Sequence, residues 1–173
     1  AARALLEAAP GRRTDRFVRT LLSSSTAALK VRKVALLSSF SIEFLQDALI
    51  ARGFAAGFRL DPYQPGFATF RQEILDPASR LYAEQPDVVV LAVEGEDWST
   101  GPFDAFMGIP EEGHAEVVGR FSAEVCALLD AFRARSAAPL LVHNLALPPW
   151  RKLGILDAKA AHGQGALISC MND

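Results

Sequence analysis

Three serines that follow the first apolar run of the chain could supply a nucleophile. Ser38, Ser39 and Ser41 stand between the run at 33–37 and a segment of helical pattern. A serine in a strand-to-helix turn can attack an acyl carbon when a base lies within hydrogen-bond reach, and the helix N-terminus would stabilise the oxyanion. Ser39 is therefore the candidate catalytic residue. The alternative is that these serines are turn residues, with Ser41 as a helix N-cap, because no Gly-x-Ser-x-Gly motif surrounds them.

Residues at the expected ends of three other strands complete the candidate site. Glu94 could act as a base or a ligand by its position, although exposed loop carboxylates mostly serve solvation. His143 and Asn144 should point to opposite faces of a strand, and a hydrogen-bonded structural histidine is the favoured interpretation of His143. The predicted binding residues are Ser38, Ser41, Gly66, Glu94 and Asn144.

Metal and nucleotide sites find no support in the residue spacing. His114 and His162 have no ligand partner at i+4, and Cys126 and Cys170 are too few for a zinc cluster. The serine turn lacks the glycines of a dinucleotide or P-loop fingerprint. The sequence therefore predicts no metal and no cofactor in this segment.

Apolar runs and helical periodicities predict the elements that must bring the candidate residues together. Strands are expected at 33–39, 54–60, 87–93 and 139–145, with helices between them, Gly53 ending the first of these helices and an irregular loop at 94–114. Strands joined by helices become parallel neighbours with helices on both faces, which predicts a three-layer, doubly wound α/β fold. In such folds ligands lie at the carboxyl ends of the strands.

Two segments are expected along the chain. Residues 1–30 form an N-terminal helical segment whose apolar side carries Phe17, Leu21 and Leu22, and residues 31–173 form the α/β domain. The chain starts with Ala1, and residues 165–173 have the pattern of a helix still in progress. These features favour a fragment of a longer protein.

Composition excludes several functional classes. The chain has 173 residues, 50% of them hydrophobic, and its 18 basic and 20 acidic side chains leave a net charge of −2. One soluble globular domain fits these values, whereas a nucleic-acid or membrane partner does not, because there is no basic stripe and no apolar run of about 20 residues. Few cysteines and no recognisable leader predict a cytoplasmic protein.

Four segments resemble the N-terminal domain of FkbH-like proteins, which are HAD-superfamily enzymes of polyketide biosynthesis. They are residues 33–41, 63–82, 86–92 and 145–154, and the motif Arg-Gln-Glu-Ile-Leu-Asp-Pro at 71–77 is the most specific. The resemblance implies an SGNH-hydrolase-like domain of flavodoxin-like strand order 2-1-3-4 that lacks its fifth and last strand. It also implies a following HAD domain that needs Mg²⁺. In the family, that domain takes a glyceryl group from 1,3-bisphosphoglycerate, releases phosphate and loads the unit onto an acyl carrier protein.

The catalytic pattern implied by the resemblance is carried over only in part. Ser39 resembles the SGNH nucleophile and Gly66 the oxyanion-hole glycine, but Glu94 replaces an asparagine, and a carboxylate there would repel an oxyanion. The Asp-x-x-His block is absent, since Asp157 and His162 are five residues apart, and so is the HAD signature Asp-x-Asp-x-Thr.

Three functions therefore remain open. The first is a non-catalytic SGNH-like domain that docks an acyl carrier protein or the adjoining HAD domain. The second is an esterase or acyltransferase that uses Ser39, and the third is a domain that only stabilises its neighbour. Two surfaces bear on partners. One is a basic cluster that could dock a carrier protein or be a solvated helix face, and the other is an open edge at the fourth strand that could permit self-association. The basic cluster consists of Arg12, Arg13, Arg16 and Arg19.

Overall fold

A sheet of four parallel strands forms the centre of the fold. The structure is a computed structural model that describes residues 2–23, 28–98 and 100–173. The strands are β1 (Lys30–Ser38), β2 (Phe58–Tyr63), β3 (Val88–Ala92) and β4 (Leu140–Val142). Their order in the sheet is β2-β1-β3-β4, and every neighbouring pair is parallel. The predicted doubly wound α/β fold and its strand order are confirmed.

Helices connect the strands and cover the sheet. In the described ranges the α-helices are α1 (Ala2–Ala8), α2 (Arg12–Ser23), α3 (Glu43–Ala55), α4 (Phe70–Leu75), α5 (Arg80–Glu84), α6 (Gly95–Trp98), α7 (Thr100–Phe103), α8 (His114–Arg133) and α9 (Gln164–Asn172). Short 3₁₀ turns lie at Phe106–Gly108, Glu111–Gly113 and Gly154–Lys159. Among these helices, none is both long enough and apolar enough to cross a bilayer.

Two helical layers enclose the sheet because the chain winds in opposite directions from β1. The crossover through α3 leads to β2 on one side, and the later crossovers lead to β3 and β4 on the other, which sets the two groups of helices on opposite faces. Helices α1 and α2 pack against α3, whereas α4, α8 and α9 pack together on the second face. The main core lies under this second layer, where strand residues such as Leu37 and Leu91 meet Phe121, Phe132 and other helix residues.

The end of α3 differs from the prediction. Gly53 lies inside the helix, which continues to Ala55, and the turn is made at Gly57, whose φ is +88°. A Cβ at position 53 would overlap the Leu60 side chain, so this glycine allows the helix to approach β2 closely. The second strand consequently starts at Phe58, four residues later than predicted.

The buried side of α2 also differs from the prediction. Phe17 and Leu21 were assigned to the apolar side of the first helix, yet they are 53% and 47% exposed. Val18 faces inward instead and packs with Leu6 and Ala51, because α2 contacts α3 through that side. On α3, Ala51 is buried in this contact, whereas Phe44 and Leu45 are exposed.

Strand β4 forms one edge of the sheet. It pairs with β3 through Val89, Leu91 and their neighbours, and among the described residues no strand pairs with its outer side. Leu141 and Val142 remain 59% and 43% exposed there. The predicted position of this edge is confirmed, whereas self-association through it stays a prediction, as does the division into residues 1–30 and 31–173.

Candidate functional site

The Ser39 side chain lies where β1 and β3 end side by side. Its backbone N–H donates to the Ala92 carbonyl at 3.2 Å, which continues the pairing of the two strands by one residue. Its Oγ accepts a hydrogen bond from the Glu94 backbone N–H at 2.9 Å, and the residue is only 3% exposed. No acidic or histidine side chain of the described residues hydrogen-bonds to Ser39. The hydroxyl thus binds the backbone after β3.

Ser38 and Ser41 have different surroundings. The Ser38 Oγ donates to the Phe40 carbonyl at 2.7 Å and lies 3.0 Å from the Phe40 N–H, so it closes its own turn. Ser41 is exposed, and Ile42 precedes α3 at the N-cap position with no side-chain hydrogen bond. The prediction that Ser41 caps α3 is therefore wrong, since the helix starts one residue too late for it.

A crevice of about 230 Å³ opens beside this strand junction. Three polar side chains reach it, those of Glu94, Glu96 and His143, and all three residues are exposed. The remaining walls are the backbone at Gly95 and apolar side chains, namely Phe40, Phe103, Ala146, Leu147, Pro148 and Pro149. We call this cavity the strand-end crevice. His143 is exposed, and its interpretation as a hydrogen-bonded structural histidine stays a prediction.

The other predicted site residues lie outside the walls of the strand-end crevice. Gly66 accepts the Thr69 hydroxyl at 2.8 Å in the loop after β2, and Asn144 is exposed just beyond β4. Of the predicted binding residues, the structure therefore brings Glu94 to the crevice and joins it to Ser39. The assignment of catalytic and binding roles to these residues stays a prediction.

Close packing of Gly95 against Phe103 shapes one wall of the crevice. A Cβ at position 95 would lie inside the Phe103 ring, so only glycine fits there without movement. Trp98, which follows in the same helical turn, is buried between Phe70 and Phe121 with ring centroids 5.4 and 6.1 Å away. Trp98 thus anchors the loop after β3.

Gln164 fixes the same wall from the far end of the chain. Its fully buried Nε2 donates to the Pro102 and Phe103 carbonyls, both at 3.0 Å, and its Oε1 accepts the Lys152 N–H at 3.0 Å. Asp157 in turn accepts the N–H groups of Gln164 at 2.7 Å and Gly165 at 3.0 Å. Sequence reasoning considered Asp157 only for the Asp-x-x-His block and did not predict the burial of either residue, because nothing in their local pattern indicates it.

The chemistry available to the strand-end crevice follows from its charges. Two carboxylates beside apolar walls favour cationic or hydroxylic groups and disfavour phosphate or a developing oxyanion. Over the described ranges, no three side chains of the His, Cys, Asp or Glu type come together as metal ligands would.

Comparison with known proteins gives a shared fold. No family model and no curated protein sequence matches the chain. A similar solved structure is the N-terminal part of the protein BF1531 from Bacteroides fragilis, described as containing a phosphatase domain and complexed with Mg. The two share 13% identity at a TM-score of 0.70, over 91% of this chain and 40% of that one. The chain thus spans less than half the length of that structure and has the fold of the matched part.

Proposed function

We propose that this chain is the non-catalytic, SGNH-like N-terminal domain of an FkbH-like protein. In that protein a neighbouring HAD domain, with its Mg²⁺, would take a glyceryl unit from 1,3-bisphosphoglycerate, release phosphate and load the unit onto an acyl carrier protein. The observation that carries the proposal is the Ser39 hydroxyl, which is buried and accepts the Glu94 N–H instead of facing the crevice.

The absence of a base for Ser39 within the described residues supports a non-catalytic role. A serine nucleophile needs an acceptor within about 3 Å that removes its proton, and among these residues no carboxylate or imidazole hydrogen-bonds to Ser39. The side chains of Asp157 and His162, which would be sought for that role, are engaged elsewhere. Asp157 binds the start of α9, and His162 Nε2 lies 2.7 Å from Glu111 Oε1.

The charge of the strand-end crevice supports transfer chemistry in another domain. The donor 1,3-bisphosphoglycerate carries two phosphate groups, whereas Glu94 and Glu96 line the crevice. Like charges repel, and apolar walls strengthen the repulsion between phosphate and carboxylate by lowering the local dielectric constant. The likeness to the N-terminal part of BF1531, which contains a phosphatase domain, fits an arrangement in which phosphate chemistry has its own domain.

Ester hydrolysis tests the non-catalytic role. The 173-residue chain, Ser39→Ala and the exposed control Ser41→Ala are incubated with a chromogenic acetate ester. We expect all three proteins to match the uncatalysed rate. Hydrolysis by the wild type and Ser41→Ala that disappears in Ser39→Ala would establish the alternative, a Ser39-dependent esterase or acyltransferase.

Glyceryl loading tests the larger proposal. The full FkbH-like protein that contains this domain is mixed with 1,3-bisphosphoglycerate, Mg²⁺ and a holo carrier protein, and the intact mass of the carrier is measured. We expect the mass of one glyceryl unit to be added, to the same extent with wild-type protein and Ser39→Ala. A carrier of unchanged mass would contradict the assigned reaction.

A further inference from the structure

We infer that the outer side of α2 docks an acidic protein. The identification of this partner as the carrier protein rests on the proposed function. We call the surface the basic face, and its residues are Arg12, Arg13, Arg16, Phe17, Leu21 and Phe44.

The positive charge of the basic face is not compensated within α2. The helix contains four arginines and one carboxylate, Asp15, which is 7% exposed and points inward. Arg19 forms an ion pair with Asp47 of α3. Arg13 and Arg16 are exposed and form no ion pair with any described residue. Two cations therefore remain available to a partner.

Exposed aromatic and aliphatic side chains accompany these cations. Phe17 is 53% exposed and Leu21, one helical turn further along, is 47% exposed. Phe44 at the start of α3 is 55% exposed, and the Arg12 guanidinium carbon lies 3.2 Å from its ring centroid. The stacking holds Arg12 over the ring with its charge intact. Apolar contacts next to arginines are typical of the centre of a protein interface.

Charge and area decide which occupant fits the basic face. A second copy of the chain would bring arginines against arginines, so an acidic partner is favoured over self-association. A membrane would gain little, because interfacial binding scales with the apolar area of a helix, and α2 offers only Phe17 and Leu21 on this side. Glu43 is exposed in the first turn of α3. This one carboxylate does not offset the arginines, so the surface stays basic.

Binding to a carrier protein tests the inference. Wild-type chain, Arg13→Glu/Arg16→Glu and the control Arg120→Glu/Lys159→Glu are titrated with a fluorescently labelled holo carrier protein at low and physiological ionic strength. The control makes the same change in net charge on exposed residues of another surface. We expect the first variant to bind at least about tenfold more weakly and the control to bind as the wild type does. Affinity should also fall with added salt.

Three outcomes would contradict the inference that the basic face docks the carrier protein. They are no binding by the wild type at low salt, equal weakening by both variants, and binding to phosphatidylserine vesicles in place of the carrier. Thermal unfolding of each variant checks that the fold is retained. If the carrier binds both variants equally while the full FkbH-like protein still loads glyceryl, the docking role of the basic face is wrong and the proposed function is not contradicted. Ester hydrolysis that depends on Ser39 would contradict the proposed function and leave the docking result unaffected.

Discussion

The Ser39 hydroxyl accepts a 2.9 Å hydrogen bond from the backbone N–H of Glu94, and this bond spans the point at which the strand order reverses. β1 and β3 are neighbours there, with β2 and β4 on their outer sides. In doubly wound folds this point is the usual ligand site. Here the serine side chain connects the two strand ends.

Ser39→Ala should lower stability because it leaves the Glu94 N–H without its partner. The loss of such a bond near the core costs about 1–2 kcal/mol. Ser41→Ala, at an exposed position without a capping bond, should change stability by less than about 0.5 kcal/mol. Urea unfolding of the two variants measures the difference. Equal midpoints would show that the Ser39 bond contributes nothing.

Gly95→Ala should destabilise the fold because the new methyl group would overlap the Phe103 ring. Overpacking of this kind costs about 1–3 kcal/mol. Gly119 provides a matched control, since it lies inside α8 with open space around its Cα, so Gly119→Ala should stabilise by up to about 1 kcal/mol. The two alanine variants should therefore shift the melting temperature in opposite directions. A shift of the same sign in both would contradict the packing at Gly95.

Asp87 should make the fold more stable at neutral pH than in acid. Its carboxylate accepts the Lys33 N–H at 2.9 Å and Arg32 Nη1 at 2.7 Å, and these bonds, the first above all, hold its pKa below the usual 3.8. Because the folded pKa is the lower one, the stabilisation is complete above pH 3.8 and is lost as the pH falls through the folded pKa.

Asp87→Asn should consequently be less stable than the wild type at neutral pH, with a difference that shrinks in acid. Chemical unfolding at several pH values from neutral to strongly acidic measures this. Asp104→Asn is the control, because this exposed carboxylate forms no ion pair with the described residues, and it should be as stable as the wild type at neutral pH. A constant gap between Asp87→Asn and the wild type would contradict the lowered pKa.

The outer edge of β4 should promote concentration-dependent self-association. Unpaired strand edges recruit further strands, and a lysine on the edge is a common way to prevent it. Leu141→Lys should therefore shift the chain toward monomer in light scattering after size-exclusion chromatography. Ile155→Lys, at a residue 91% exposed and away from the sheet, should behave like the wild type. A wild type that is monomeric at every concentration would contradict this role of the edge.

The sequence predicts a strand most clearly where both faces of that strand are covered by other elements. The run at 88–92 is apolar at every position because both faces of β3 are covered, so its identity does not depend on distant partners. For α2 the pattern was ambiguous, since Phe17, Leu21 and Val18 are all apolar and only the packing against α3 determines which side is buried.

The local sequence pattern did not predict the buried polar residues that hold the wall of the strand-end crevice. Gln164 is fully buried, but its partners at Pro102 and Phe103 are 62 and 61 residues earlier in the chain. Glutamine is usually exposed, so a single sequence gives no signal for such a contact. Glu94 was found because strand ends converge in this fold, and His143 reaches the same crevice from the end of the edge strand β4.

The hydrogen bonds of Gln164 also bear on the order of folding. A contact between residues about sixty positions apart closes a long loop, and closing that loop costs conformational entropy before the hydrogen bond can stabilise the fold. The four strands pair with one another without α9, so the sheet does not depend on this contact. The wall of the strand-end crevice is completed only when α9 docks, so local unfolding of α9 would open the crevice while the sheet remains protected from hydrogen exchange.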